Sequence, residues 1–123
     1  MTMTTAMKMN KAQEMRKTTM EQYKLSSVDD IYNMLNKRIQ NEANDGRFDI
    51  IFPLSELNKI YSKELGKGKC YTYRISSLNA ETGKWVTANY IVESNTLNQV
   101  KKILTQDGFS VKMIYKGLLT ISW

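Results

Sequence analysis

Seven side chains in the middle of this 123-residue chain have the types and spacing to hold an anionic aromatic ligand. Tyr73, Trp85 and Tyr90 offer flat π faces, and Lys67, Lys69, Arg74 and Lys84 stand among them as cations. Aromatic faces can hold a base by stacking while neighbouring cations hold its phosphate. The same aromatics also suit a plainer role, because aromatic pairs across two strands stabilise a hairpin. Catalysis is a weaker fit. The chain has no histidine and one cysteine, Cys70, whereas most acid–base sites, nucleophile pairs and catalytic zinc sites use an imidazole. The carboxylates fall where helix caps and surface faces want them. The expectation is a protein that is not an enzyme and needs neither cofactor nor metal.

The elements that must position these residues are two β-rich runs, 70–76 and 84–92, joined by Asn79-Ala80-Glu81-Thr82-Gly83 with glycine where a left-handed residue is wanted. Period-two alternation puts Tyr71, Tyr73 and Ile75 on one face of the first strand. On the second it groups Trp85, Thr87, Asn89 and Ile91. Gly66-Lys67-Gly68-Lys69 lacks the spacing of a phosphate-binding loop and reads as a flexible basic connector. Before it, Ser55 is positioned to cap a brief helix with Leu57, Ile60, Tyr61 and Leu65 as its apolar positions.

The flanking segments supply the scaffold. Ser26-Ser27-Val28-Asp29-Asp30 opens a helix with the stripe Val28, Ile31, Leu35 and Ile39, stopped by Asp45-Gly46. Phe48, Ile50 and Phe52 then alternate inward on a short strand ended by Pro53. Thr96-Leu97-Asn98-Gln99 has the form of a capping box, followed by Val100, Ile103 and Leu104. Phe109, Val111, Met113 and Tyr115 form the next strand face. A Lys116-Gly117 turn leads to Leu119, Ile121 and Trp123, with the last expected to pack inward.

Residues 1–8 read as a frayed end and 9–23 as a helix with a loose methionine stripe suited to its own domain or to a partner groove. Together these predict one α+β domain over residues 1–123. It has a mainly antiparallel sheet of about five strands, helices on one face, and an N-terminal helical arm (1–24) that can oligomerise.

The formal charge is +6, from 18 Lys+Arg against 12 Asp+Glu, with no block of like charge. A basic surface attracts anions, whether nucleotide, nucleic acid or an acidic protein face. No apolar run approaches the roughly 18 residues of a membrane span, and no signal peptide is apparent. An intracellular protein in a reducing compartment is expected.

The run Gly46-Arg47-Phe48-Asp49-Ile50, the junction Leu104-Thr105-Gln106-Asp107-Gly108-Phe109-Ser110-Val111 and the closing Leu119-Thr120-Ile121-Ser122-Trp123 together resemble a set of small accessory proteins of tailed bacteriophages. The resemblance covers residues 9–52 and 96–123, so 54–95 looks inserted. It implies action in the cytoplasm of an infected bacterium and a kinship in size and charge with counter-defence proteins. Some of those sequester nucleotide-derived immune signals between subunits, and others block a host protein. On that basis the chain is expected to be a homo-oligomer that sequesters a small anionic, nucleotide-like signal. The alternatives are a basic module for nucleic acid or a host protein, and a virion or assembly component.

Overall fold

The structure, a computed structural model, describes residues 10–114 and 117–123. The frayed end, Met9 at the start of the arm, Tyr115 and Lys116 lie outside the described residues. The elements run α1 (Lys11–Met20), β1 (Tyr23–Leu25), α2 (Val28–Asn44), β2 (Asp49–Pro53), β3 (Ser55–Glu56), α3 (Lys59–Glu64), β4 (Cys70–Leu78), β5 (Trp85–Glu93), α4 (Ser94–Gln106), β6 (Ser110–Ile114) and β7 (Leu118–Ser122). This is an α+β fold with mostly antiparallel pairing, as expected. Two strands beyond the expected five appear, and the strands divide into two sheets, β1-β5-β4-β3 and β2-β7-β6.

Local chemistry accounts for the helices. Ser27 and Asp30 cap α2 reciprocally, each side chain accepting from the other's backbone amide. Those bonds hold the Asp30 carboxyl below its usual range. Ile31, Leu35 and Ile39 are buried from α2, and Leu97, Val100 and Leu104 from α4. They meet Ile50 and Phe52 of β2, Leu119 and Ile121 of β7, and Tyr73 and Val92 of the larger sheet in one core. Both sheets therefore share a single apolar interior. Tyr32 ties the two long helices at the surface, its hydroxyl donating to Asp107 at 3.0 Å.

The chain crosses from one sheet to the other at Leu54, which is buried between β2 and β3. Its amide donates to the carbonyl of Gly117 at 2.6 Å. A Cβ on Gly117 would lie 1.9 Å from the Leu54 oxygen, so only glycine permits this approach.

Four expectations are corrected. Ser55 does not cap α3; it pairs with Thr72 as part of β3, and Asn58 caps the shorter helix by accepting from the Ile60 amide. Thr96 does not open α4, because β5 runs directly into it. The first amide, that of Ser94, is met instead by the Lys69 carbonyl at 2.9 Å. Phe48 is 76% exposed and Trp123 38% exposed. The Trp123 amide bonds the Phe48 carbonyl, so backbone pairing continues past the point where the buried layer ends. Trp123 instead meets the Phe109 ring edge-on at 6.3 Å.

Candidate functional site

The β4–β5 hairpin is laid out in cross-strand rungs, and each rung shares one face. Tyr73 pairs with Tyr90, Arg74 with Asn89, and Leu78 with Trp85. On β1, Tyr23 pairs with Asn89 and Lys24 with Tyr90. One face therefore carries Tyr73 and Tyr90 toward the core, and the opposite face carries Tyr23, Asn89, Arg74 and Trp85.

This layout separates the expected residues. Tyr73 and Tyr90 stack at 5.1 Å with an interplanar angle of 14°. Tyr73 is 5% exposed, meets Phe52 edge-on at 5.2 Å, and shares a hydrogen bond with the buried Ser26 hydroxyl. Burial raises its pKa above the ordinary phenol value. Its ring is a core element. Trp85 sits at the far end of the hairpin, 71% exposed, on the other face and ~17 Å along the strand from Tyr73. The three aromatics cannot enclose one ligand, because residues 85 and 90 differ by an odd number and so point to opposite sides.

The cations divide as well. Lys67 pairs with Glu93 at 3.1 Å. Lys69 lies 3.8 Å from Glu56 and 5.5 Å from the centre of the Tyr71 ring. The loop they sit on is tied to the helix start by Lys69 and to the strand base by a Cys70 thiol donating to Gly68, so it is not a free connector. Lys84 is at the hairpin tip beside Trp85.

Arg74 is the exception. It lines a cleft of about 570 Å³ with Tyr23, Arg38, Phe52, Thr72 and the strand-crossing residues Pro53 and Ser55; Tyr73 forms part of the wall. That size falls within the ~300–1,000 Å³ of small-molecule sites. The Arg38 guanidinium sits 5.6 Å from the Phe52 ring centre, within cation–π range. Among the described residues neither Arg38 nor Arg74 makes an ion pair. The cleft thus combines two guanidiniums without ion-pair partners, which suit bidentate binding of phosphate or carboxylate, with the half-buried ring of Tyr23; Phe52 and Tyr73 back it from the core.

Other hollows are less suited to an anion. The groove between α1 and α3 holds Arg16, whose charge is already met by Glu64 at 2.6 Å, and sets Lys17 beside a second carboxylate-bearing residue, Glu21, in its lining. The hollow beside Lys67 and Lys69 has both of those ammoniums paired; its remaining cations, Lys59 and Lys63, are flexible lysines, and no aromatic ring stands among its described lining residues.

Arg38, Tyr23 and Phe52 are site residues that the sequence did not single out. Arg38 adjoins Ile39 at the margin of the α2 stripe, where a long cationic side chain can lie along apolar surface and keep its head in water. The helix expected over 9–23 ends at Met20, and Tyr23 lies instead on a three-residue strand, too short to show a period, that pairs with β5. Among the described residues no helix is long and apolar enough to cross a membrane. Comparison with protein-family models, curated proteins and solved structures finds no match for this chain.

Proposed function

We propose that this chain is a non-enzymatic binding protein that takes up a small anionic, nucleotide-like ligand in the cleft beside the crossing from β2 to β3. The observation that carries this reading is the pair of guanidiniums without ion-pair partners, Arg38 and Arg74, lining one cleft with the half-buried Tyr23. Charge-assisted forks of this kind fix a phosphate, and a flat ring lies against an aromatic face. The reading keeps Arg74 from the expected set and replaces Trp85 and the paired lysines with Arg38 and Tyr23. The absence of histidine from the sequence further favours holding over turnover.

The resemblance to phage accessory proteins supplies the setting: sequestration of a nucleotide-derived immune signal in the cytoplasm of an infected bacterium. Helix α1, which buries none of its residues and exposes Met15, is the element we assign to joining copies of the chain.

The test is native mass spectrometry of the protein purified from an infected, defence-active lysate, beside the Arg38→Gln/Arg74→Gln double variant. A discrete added mass of small-molecule size on the wild type, lost from the variant, is the expected result. A ligand-free wild type, or equal retention by the variant, overturns the reading.

A second reading has one observation in its favour. Trp85 and Leu78 form an open apolar pair on the face that also carries Arg74, with Lys84 adjacent. That surface suits a nucleic acid or a host protein. Phosphate-dominated binding there would weaken steeply with salt through counterion release, whereas binding in the cleft would depend on salt much less.

A further inference from the structure

The smaller sheet turns one face to the core and the other outward. Ile50, Phe52, Leu119 and Ile121 point inward, where α2 and α4 contribute to the same core. The outward residues lie in three rungs: Asp49-Ser122-Ser110, Ile51-Thr120-Lys112 and Pro53-Leu118-Ile114. An antiparallel sheet ordinarily gives this side polar residues. Here the third rung is wholly apolar, and Ile51 adjoins it. Ile51, Ile114 and Leu118 are all exposed. An apolar patch rimmed by polar residues marks a contact surface.

The charges on the same face select what fits it. It carries one acid, Asp49, on the β2 edge and one base, Lys112, on the β6 edge, one rung apart. Both are exposed, and neither makes an ion pair among the described residues. We infer that this face is an interface between two copies of the chain, packed sheet on sheet about a two-fold axis running along β7. That rotation lays β2 of one protomer over β6 of its partner, with each rung kept at its own level. Leu118 then meets its own copy at the axis, and Pro53 packs against Ile114 on either side. Lys112 stands over Ile51 and reaches Asp49 one rung along, ~7 Å away, its aliphatic stem covering the isoleucine. The symmetry forms this pair twice.

Other pairings bring like charges together. An axis across the middle rung sets Lys112 over Lys112, and so does edge-to-edge pairing of β6 with β6 centred on that residue; both are disfavoured. The face is smaller than the ~800 Å² per partner of a standard interface, so the dimer is expected to form at micromolar concentration. The contact is independent of the cleft and additional to the one assigned to α1. Pro53 also lines the cleft, so the second copy borders it.

The experiment is sedimentation equilibrium of the full chain, comparing the wild type with Asp49→Lys, Lys112→Glu and the double variant, with thermal midpoints measured alongside. Each single substitution should weaken association by about tenfold or more, because it turns both pairs into like-charge contacts. The double substitution should restore it to near the wild-type value. Lys112→Glu also moves the net charge of +6 toward zero, which by itself favours association, so weakening by this variant reports the face and not the overall charge. Leu118→Ser should weaken association with no change of charge.

Equal association, or none, of the wild type and both single variants overturns the inference, including the case in which α1 alone joins the copies. Failure of the double variant to recover what the single variants lose overturns it too, since the two charges then do not face each other. Neither result bears on ligand binding in the cleft.

Discussion

Gly117→Ala is the sharpest test of how the two sheets are held together. At φ +119° the backbone is in a region that costs an L residue about 1–3 kcal/mol. The new methyl would also stand 1.9 Å from the Leu54 carbonyl oxygen, a backbone atom that cannot rotate away. Relief requires the chain to part there, which lengthens the 2.6 Å bond from the Leu54 amide to the Gly117 carbonyl. That bond contributes about 0.5–1.5 kcal/mol net, so the loss should total about 2–4 kcal/mol. Gly83→Ala is the matched control. It too has a positive φ, +67°, but nothing lies within 4 Å of its Cβ, so only the conformational cost of about 1–2 kcal/mol applies. Urea unfolding followed by circular dichroism would give both values from the midpoints at constant slope. If Gly117→Ala costs no more than Gly83→Ala, the close approach at Leu54 is not what joins the sheets, and the position of Pro53 and Ser55 in the cleft needs another cause.

Three further outcomes follow from the same packing. Cys70 is fully buried and its thiol pKa is raised by desolvation, so labelling by a thiol reagent should be slow in the native protein and should rise with urea in step with unfolding; rapid native labelling refutes the packing at the base of β4. Trp85→Ala should change stability by no more than ~0.5 kcal/mol, because the residue is open at a hairpin tip; a larger loss would mean that the tip is packed. Glu64 has its carboxyl held below the usual range by the hydrogen bond from Arg16. Its folded pKa is therefore below its unfolded value. The contribution is present above ~pH 4.3, the unfolded value, and disappears as pH falls through the lowered folded one. Hydrogen-exchange protection in α1 should then drop in acid before that of α2, and Glu64→Gln should produce the same loss at neutral pH. Unchanged protection of α1 in either case would show that the pair does not anchor it.

How much was legible depends on whether an element carries its own period. Helix α2 was readable because Ser27, Asp30, the Ile31-Leu35-Ile39 stripe and Gly46 all agree on one structure. The five longer strands were readable from alternation. Strands β1 and β3 have three and two residues, too few to show a period, and exist because β5 and β4 offer them edges to pair with. The start of α4 was misplaced for a related reason. Thr96 and Gln99 have the types of a capping box, yet the carbonyl that meets the first helical amide comes from Lys69, twenty-five residues earlier in the chain.

The site was partly legible in a way that turns on parity and on charge pairing. That Trp85 and Tyr90 face opposite sides follows from their spacing alone, so a single stacking set containing both was excluded before any register was known. Which of the two faces inward did require the fold: the core takes Tyr73 and Tyr90 because α2 and β2 cover that side. The cations needed the fold more. Lys67 and Lys69 are prominent in sequence, but folding brings Glu93 and Glu56 to them from the adjoining strands. A cation already matched by a carboxylate attracts a ligand far less than one that is not. Arg38 and Arg74 are 36 positions apart, and neither meets a carboxylate among the described residues. The net charge of +6 is therefore most available where folding leaves cations unmatched rather than where lysines are densest along the chain. Folding brings two of the unmatched cations, Arg38 and Arg74, to one cleft at the junction of the two sheets.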